Sequence, residues 1–255
     1  MRRLLAILAV ASILGAQPVP VQNTFAEGET LDYTVQWMKV TGGTARTTIS
    51  PLDDGRYRIT SVARSGGALG RLFRIRDEIE TLVDRDDFST LRIKKNLDER
   101  GDKKVETTTI ENGVATRKRK HTRKFRVPAW VTDPISIIYH VRTLDLTPGK
   151  SYNLDLYADL KLYKVTVRVL RREVLQTPAG TFNCVLVEPD MMTAGGVRRE
   201  ETLHIWYSDD DRHIPVRVRT DVDFGSITAT LRSISSGVTS IEPPALAPEK
   251  PAKTR

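Results

Sequence analysis

Apolar residues recur at every second position through most of this chain, and that period decides what it can fold into. Leu31, Tyr33, Val35 and Trp37 alternate with Asp32, Thr34 and Gln36. The pattern repeats at Val165, Val167 and Val169, at Leu203, Ile205 and Tyr207, at Ile214, Val216 and Val218, and at Ile227, Ala229 and Leu231. Side chains two apart share one face of a strand, so each run predicts a buried side and a wetted side. That is the pattern of antiparallel sheet.

Turn residues punctuate the runs at Thr41-Gly42-Gly43, Asp53-Asp54-Gly55, Asp84 to Asp87, Glu99 to Asp102 and Glu111-Asn112-Gly113. Later ones fall at Pro148-Gly149, Pro178-Ala179-Gly180, Ala194-Gly195-Gly196, Ser208 to Asp211 and Phe224-Gly225. Asn112-Gly113 is the strongest hairpin signal, because both residues tolerate positive φ. The expected fold is all-β: a large antiparallel curved sheet or β-barrel-like meander of about twelve strands with one short helix in the middle.

Two stretches break the alternation. Gly66 to Leu72 reads as a loop or a short helical turn. Asp133 to Leu144 reads as the helix: Asp133 caps it, Pro134 suits its first position, and Ile135, Ile138, Tyr139 and Arg142 follow helical spacing. The helix separates two β halves of one domain over residues 25–235. The tail at 236–255, with Pro243, Pro244, Pro248 and Pro251, reads as disordered.

The first residues resemble a signal peptide at 1–16, followed by a short extension at 17–24. Arg2 and Arg3 precede eleven uncharged residues from Leu4 to Leu14, and Gly15-Ala16 supplies small residues for cleavage. Eleven residues rise only about 16 Å as a helix, too little to cross a bilayer core. The residue after Ala16 is Gln17 rather than Cys, so no lipid anchor is expected there. The expected location is periplasmic or secreted, with no transmembrane segment after cleavage. An outer-membrane barrel is not expected either, because aromatic residues are only 6% of the chain and a cationic run interrupts it.

The 39% apolar content is enough for a core and excludes a disordered chain. One Cys excludes a disulfide scaffold, and Cys184, inside an alternating run, reads as a small buried hydrophobe. Charge is concentrated. Residues 92–126 hold 13 Lys and Arg against 5 Asp and Glu, a net of +8 that equals the excess of the whole chain. Arg117, Lys118, Arg119, Lys120, Arg123 and Lys124 form its densest part. A strand built from this run is cationic on both faces, so it belongs to an exposed edge, a projecting hairpin or a loop. One reading is an edge protected from aggregation. The functional reading makes these six residues a site for an anionic surface: a lipid headgroup or an acidic envelope polymer, with peripheral membrane contact. Nucleic acid is not an expected partner, since the run lacks aromatics that stack on bases.

No catalytic residue, metal site or cofactor is expected. His121, His140, His204 and His213 form no short ligand spacing, and no nucleophile elbow or phosphate loop is present. Asp209-Asp210-Asp211 lies between His204 and His213 and reads as a polar turn before a metal site. Asp77, Glu78 and Glu80 supply acidic residues for a hydrolase, but they alternate with Ile79 and Leu82 like the outer face of a strand.

The order of several motifs resembles an exported bacterial family, domain of unknown function 3108. These are Phe25-x-Glu27-Gly28-Glu29-x-Leu31-x-Tyr33, Gly42-Gly43-Thr44-Ala45, and Asp133-Pro134-Ile135-Ser136 with Tyr139 and Arg142. Thr177-Pro178-Ala179-Gly180-Thr181-Phe182, Trp206-Tyr207-Ser208-Asp209-Asp210 with Ile214-Pro215-Val216, and Gly225-Ser226-Ile227 to Leu231 follow in order. The resemblance covers residues 25–235. It implies an exported all-β domain shaped like the half-open sheets of periplasmic lipoprotein carriers, and carries over no catalytic residue. Three functions are then weighed. The first is a non-enzymatic envelope protein that binds a lipid or other anionic amphipathic ligand. The second is a structural or interaction module for an envelope protein or polymer. The third is an envelope-polymer hydrolase using Glu78 or the Asp209–Asp211 turn.

Overall fold

Fourteen strands form along the alternating runs in the computed structural model, which describes residues 25–67, 70, 74–193, 195–197, 202–222 and 225–237. The leader, the extension, nearly all of the Pro-rich tail and part of Gly66 to Leu72 lie outside the described residues. The first meander comprises β1 (Glu29–Trp37), β2 (Val40–Leu52), β3 (Arg56–Ser65), β4 (Ile75–Asp84), β5 (Thr90–Glu99), β6 (Asp102–Glu111), β7 (Val114–Lys118) and β8 (Thr122–Arg126). After the helix α1 (Ser136–Val141) the second comprises β9 (Ser151–Ala158), β10 (Lys161–Thr177), β11 (Gly180–Thr193), β12 (Thr202–Ser208), β13 (Pro215–Val222) and β14 (Gly225–Ser235). Antiparallel pairing of β1 with β14 joins the two meanders into one sheet, in the order β8-β7-β6-β5-β4-β3-β2-β1-β14-β13-β12-β11-β10-β9.

The strand count exceeds the expected twelve because three turns carry no Gly, Pro or Asn and no cluster of turn residues. Met38-Lys39 joins β1 to β2 and Asp159-Leu160 joins β9 to β10, each with two consecutive positive φ values. The β7–β8 turn is Arg119-Lys120-His121, inside the charge run. Conversely, Thr41-Gly42-Gly43 lies within β2. Gly43 is there because a Cβ would sit 2.3 Å from the Arg64 carbonyl oxygen on β3. The Asn112-Gly113 turn forms as expected, with φ of 50° and 71°.

The sheet curls until its edges meet. The segment leaving β8 crosses the gap: Thr90 N–H donates to Val131 O at 2.9 Å, while Thr132 exchanges backbone hydrogen bonds with Asp155 and Tyr157 of β9 at 2.9 and 2.8 Å. Phe125 of β8 packs on Tyr157, with ring centroids 6.2 Å apart. Below them Lys95 Nζ of β5 meets the Asp159 carboxylate at 3.0 Å. Side chains and one strap therefore close a barrel whose edge strands are not hydrogen-bonded to each other along their length.

The helix enters one end of the barrel. Asp133 is fully buried: its carboxylate accepts the N–H groups of Ile135 and Ser136, and the hydroxyls of Thr81 and Thr90 donate to it from β4 and β5. Its own N–H donates to Ser136 Oγ, a reciprocal cap. Helical pairing is shorter than the expected 133–144, because Arg142, Thr143 and Leu144 donate to carbonyls three residues back and tighten the last turn. Tyr139, His140 and Val141 are buried.

Arg142 fixes the helix to the barrel wall. Its guanidinium donates to both carboxylate oxygens of Glu29 on β1, at 2.6 and 3.0 Å, and through Nε to the Arg212 carbonyl at 3.0 Å. Phe25 stacks over it at 4.6 Å, and His213 Nδ1 meets the Arg142 carbonyl oxygen at 2.8 Å. Around this centre Tyr33 donates to the Pro215 carbonyl and Tyr207 to that of Ile138. The first half of the outer face of β1, Thr30 and Asp32, is buried as well, contrary to the simple alternation. There Asp32 takes a bidentate pair from Arg46 and a hydrogen bond from Ser233, and each group covers the next.

Two predictions follow from this plug. Arg142→Ala strips a buried carboxylate of its partner and should cost about 3–5 kcal/mol in urea unfolding; a loss below about 1 kcal/mol would contradict the anchoring role. His140 is packed between Trp130 and Phe88 with Nδ1 buried and without a protein partner, and burial lowers its pKa to about 4 against a weaker opposing pull from Asp87. The unfolded chain then binds that proton first. Stability should be full above about pH 6.5 and fall by up to roughly 3 kcal/mol as pH drops toward 4. His140→Phe should flatten this slope in pH-dependent melting, and an unchanged slope would contradict the assignment.

Candidate ligand site at the turn end of the barrel

Antiparallel order gives the barrel two unlike ends. The helix end holds α1 and the β2–β3, β4–β5, β6–β7, β10–β11 and β12–β13 connections. The turn end holds the β1–β2, β3–β4, β5–β6, β7–β8, β9–β10, β11–β12 and β13–β14 connections. Aromatic packing seals the helix end: Phe25 contacts Tyr57, Phe88 and Tyr139 at centroid distances of 5.8, 5.4 and 5.9 Å. Among the described residues, no comparable aromatic cluster lies at the turn end.

A cavity of about 140 Å³ lies between α1 and the inner face of β9–β12. Ile137, Ile138 and Val141 form its helix side, and Val165, Val167, Val187 and Ile205 its sheet side. Ala158, Met191 and Leu203, which are partly exposed, carry the lining toward the turn end. The Tyr207 hydroxyl, the polar group of this lining, is engaged with the Ile138 carbonyl. A second cavity of about 330 Å³ opens at the turn end among Val35, Trp37, Gly42, Ser65, Ile75 and Ile227. Both arise from the alternation, since Val35, Trp37 and Ile227 continue the inward face that carries Leu31, Tyr33 and Leu231.

The six basic residues singled out in the sequence all lie on the β7–β8 hairpin at the barrel seam, but they do not form one surface. Arg117 shares the inward face with buried Ala115, and its guanidinium is paired with Glu106 at 2.7 Å. Glu106 also lies 3.4 Å from Lys95, which holds Asp159. Burial pulls the Lys95 ammonium down, but Asp159 and Glu106 outweigh it and raise its pKa. Arg117 thus belongs to the seam. Lys118, Arg119, Lys120, Arg123 and Lys124 are exposed, and the Arg119-Lys120 tip projects from the turn end.

The remaining candidates are engaged elsewhere. Cys184 is buried, and desolvation pushes its thiol up to about 11. Asp210 accepts hydrogen bonds from Ser208 Oγ and Arg212 N–H, and Asp209 pairs with Arg172, so the aspartate run is a braced turn. His204 lies 3.4 Å from Glu188, whereas His213 serves the Arg142 carbonyl. Glu80 is held by Arg58 and Arg92 on the outer face. Asp77 instead shares the inward face with Ile79, and burial raises its pKa. The cavities, the seam pairs and the Arg142 centre had no signal in sequence beyond the alternation and the isolated charged residues within it.

A family model described as protein of unknown function (DUF3108) matches residues 32–232. Among solved structures, the chain is similar to a β-barrel-like protein of domain of unknown function DUF1849 from Brucella abortus. The match has a TM-score of 0.59 at 11% identity and covers 84% of this chain and 100% of that one. A lipoprotein candidate from Parabacteroides distasonis matches at 12% identity and a TM-score of 0.38, over 83% of this chain and 98% of its own. A candidate exported protein with a YmcC-like fold from Bacteroides fragilis matches at 13% and 0.33, over 82% and 96%. No curated protein matches in sequence. The first of these structures supports the barrel-like fold, and the weaker two carry no argument.

The division of the basic hairpin has a measurable consequence. Arg117→Ala should cost about 1–2 kcal/mol, because it leaves a buried carboxylate half-paired. Arg119→Ala and Lys120→Ala should each change stability by less than about 0.5 kcal/mol. Equal costs in chemical denaturation would contradict the separation of seam from tip.

Proposed function

The chain belongs to the DUF3108 family of proteins of unknown function, and on that premise we propose that it is a non-enzymatic, exported envelope protein that binds a lipid or other anionic amphipathic ligand through the turn end of its barrel. The observation that carries this reading is the cavity beneath α1. Its lining is aliphatic apart from one engaged tyrosine, so it offers burial to a hydrocarbon guest and no group placed to move a proton. Export rests on the pattern of residues 1–16. Among the described residues, no helix is long and apolar enough to cross a membrane.

Size limits what the cavity does alone. An apolar cavity of about 150 Å³ holds a benzene-sized guest, so this one accepts roughly six carbons. Burying six methylenes is worth at most about 5 kcal/mol, a dissociation constant near ~0.2 mM. A longer chain gains by continuing into the turn-end cavity, and an anionic headgroup gains from the exposed cations there. Both sources of affinity lie at one end of the barrel.

Dodecyl phosphate, kept monomeric, is a suitable probe. It should raise the melting temperature and appear as a one-to-one adduct in native mass spectrometry, whereas inorganic phosphate should do neither. Leu203→Trp, at the partly exposed margin of the cavity, should abolish the shift while leaving the unliganded protein folded. No adduct and no shift with the parent protein would overturn the reading.

A further inference from the structure

Apolar exposure is not spread evenly over this molecule. Of the nine large apolar side chains exposed among the described residues, Met38, Val40, Ile75, Met192, Val197 and Ile227 lie within three residues of a turn-end connection. Val174 and Ile234 lie toward the opposite end, and Val105 in the lower half of β6. Val197 is 68% exposed and Met38 57%. The two are carried by different hairpins, so the exposure belongs to a rim and not to one loop. Scattered single hydrophobes need no explanation, but a ring of them around one opening marks an interaction surface.

Charge is divided along the same axis. Lys39, Lys103, Arg119, Lys120 and Lys161 are exposed at or beside the turn-end connections. At the helix end the connections expose Asp53, Asp54, Asp86, Asp145, Asp209 and Asp211 against Arg85, Lys150 and Arg212, with Asp54, Asp145 and Asp209 paired to Arg56, Lys150 and Arg172. Acidic groups do occur at the turn end, among them Glu99, Asp102 and Asp159, but Asp102 is held by Lys104 and Asp159 by Lys95. Among the described residues the connections thus carry an excess of base at the turn end and an excess of acid at the helix end. An anionic plane attracts the first and repels the second, and the rim hydrophobes then face the same plane.

We infer that the turn-end rim is a docking surface for an anionic lipid bilayer, with Met38, Val40, Met192 and Val197 entering the interfacial layer and Lys39, Arg119 and Lys120 meeting the headgroups. The surface delivers the barrel mouth to the leaflet from which an amphipathic guest is drawn. This purpose rests on the ligand reading above, although the docking itself does not. A bilayer suits the rim because shallow apolar tips and long flexible cations gain from an interface that is hydrocarbon below and anionic above. A second copy of the chain would instead bring like-charged rims together.

The test uses the chain as exported and purified from a bacterial periplasm, with vesicles of phosphatidylcholine alone or mixed with phosphatidylglycerol. Co-sedimentation should require phosphatidylglycerol and weaken with salt. Val197→Asp combined with Met192→Ser should abolish it. Arg119→Ala with Lys120→Ala should weaken it by roughly fivefold for each positive charge removed. Asp211→Lys, at the opposite end, should not weaken it. Every variant should keep the parent's circular dichroism, and Val197→Asp with Met192→Ser should also keep its response to monomeric dodecyl phosphate, which separates loss of docking from loss of the ligand site. Arg119→Ala with Lys120→Ala removes cations that serve both and is read for its effect on vesicles alone. Undiminished vesicle binding by the folded Val197→Asp, Met192→Ser variant would overturn the inference. So would light scattering that shows self-association abolished by the same changes. Vesicle binding that persists in Leu203→Trp, where dodecyl phosphate no longer binds, would support docking while separating it from the cavity.

Discussion

The buried pair between Glu29 and Arg142 is the interaction on which the rest of this structure depends. A fourteen-stranded sheet that curls on itself encloses more space than strand side chains alone fill, and something must occupy the interior. Here the chain supplies a short helix as it passes from β8 to β9, and a helix of six residues has little stability of its own. Its position is imposed from outside. Asp133 fixes the start to β4 and β5, Arg142 fixes the end to β1, and Tyr207 ties the middle to β12. Because Glu29 opens β1, which itself pairs with β14, one ion pair connects the plug to the junction of the two meanders.

That anchoring explains why the molecule is polarised. With the helix held high in the barrel, aromatic and polar contacts concentrate at the helix end, while the inward faces of β10, β11 and β12 line a cavity beside the helix. The interior cavity is a consequence of where the helix stops. The seam obeys the same logic on the opposite wall. Short β7 and β8 end before they can hydrogen-bond to β9, and Lys95, Glu106, Arg117 and Asp159 bridge the remaining gap with charge. The basic run is therefore divided between a structural role at the seam and an exposed tip.

The class of fold was legible because an antiparallel sheet writes its period into the chain residue by residue. Leu31, Tyr33, Val165, Val167 and Val169 all face inward, and Asn112-Gly113 makes the expected hairpin. Turns at Met38-Lys39 and Asp159-Leu160 were not legible, since strand pairing imposes positive φ on Met38, Lys39 and Leu160, which do not favour it, and a lone Asp159 without Gly or Pro beside it is a weak turn signal. Gly42-Gly43 misled in the other direction: glycine marks close backbone approach as well as turns, and here it accommodates the Arg64 carbonyl. The site itself was hidden for a different reason. Alternation identifies which residues face inward but not how much space they enclose, and the partnership of Glu29 with Arg142 spans 113 positions along the chain.

The central claim is that the helix end is sealed and the turn-end interior receives the guest. Methyl chemical-shift mapping of the isoleucines during titration with dodecyl phosphate tests it most directly. The account predicts shifts at Ile137, Ile138 and Ile205 around the inner cavity and at Ile75 and Ile227 at the mouth. It predicts none at Ile49 and Ile59, which are buried in the aromatic cluster of the helix end. Shifts centred on Ile49 and Ile59, or no shift at any inward-facing isoleucine, would contradict it.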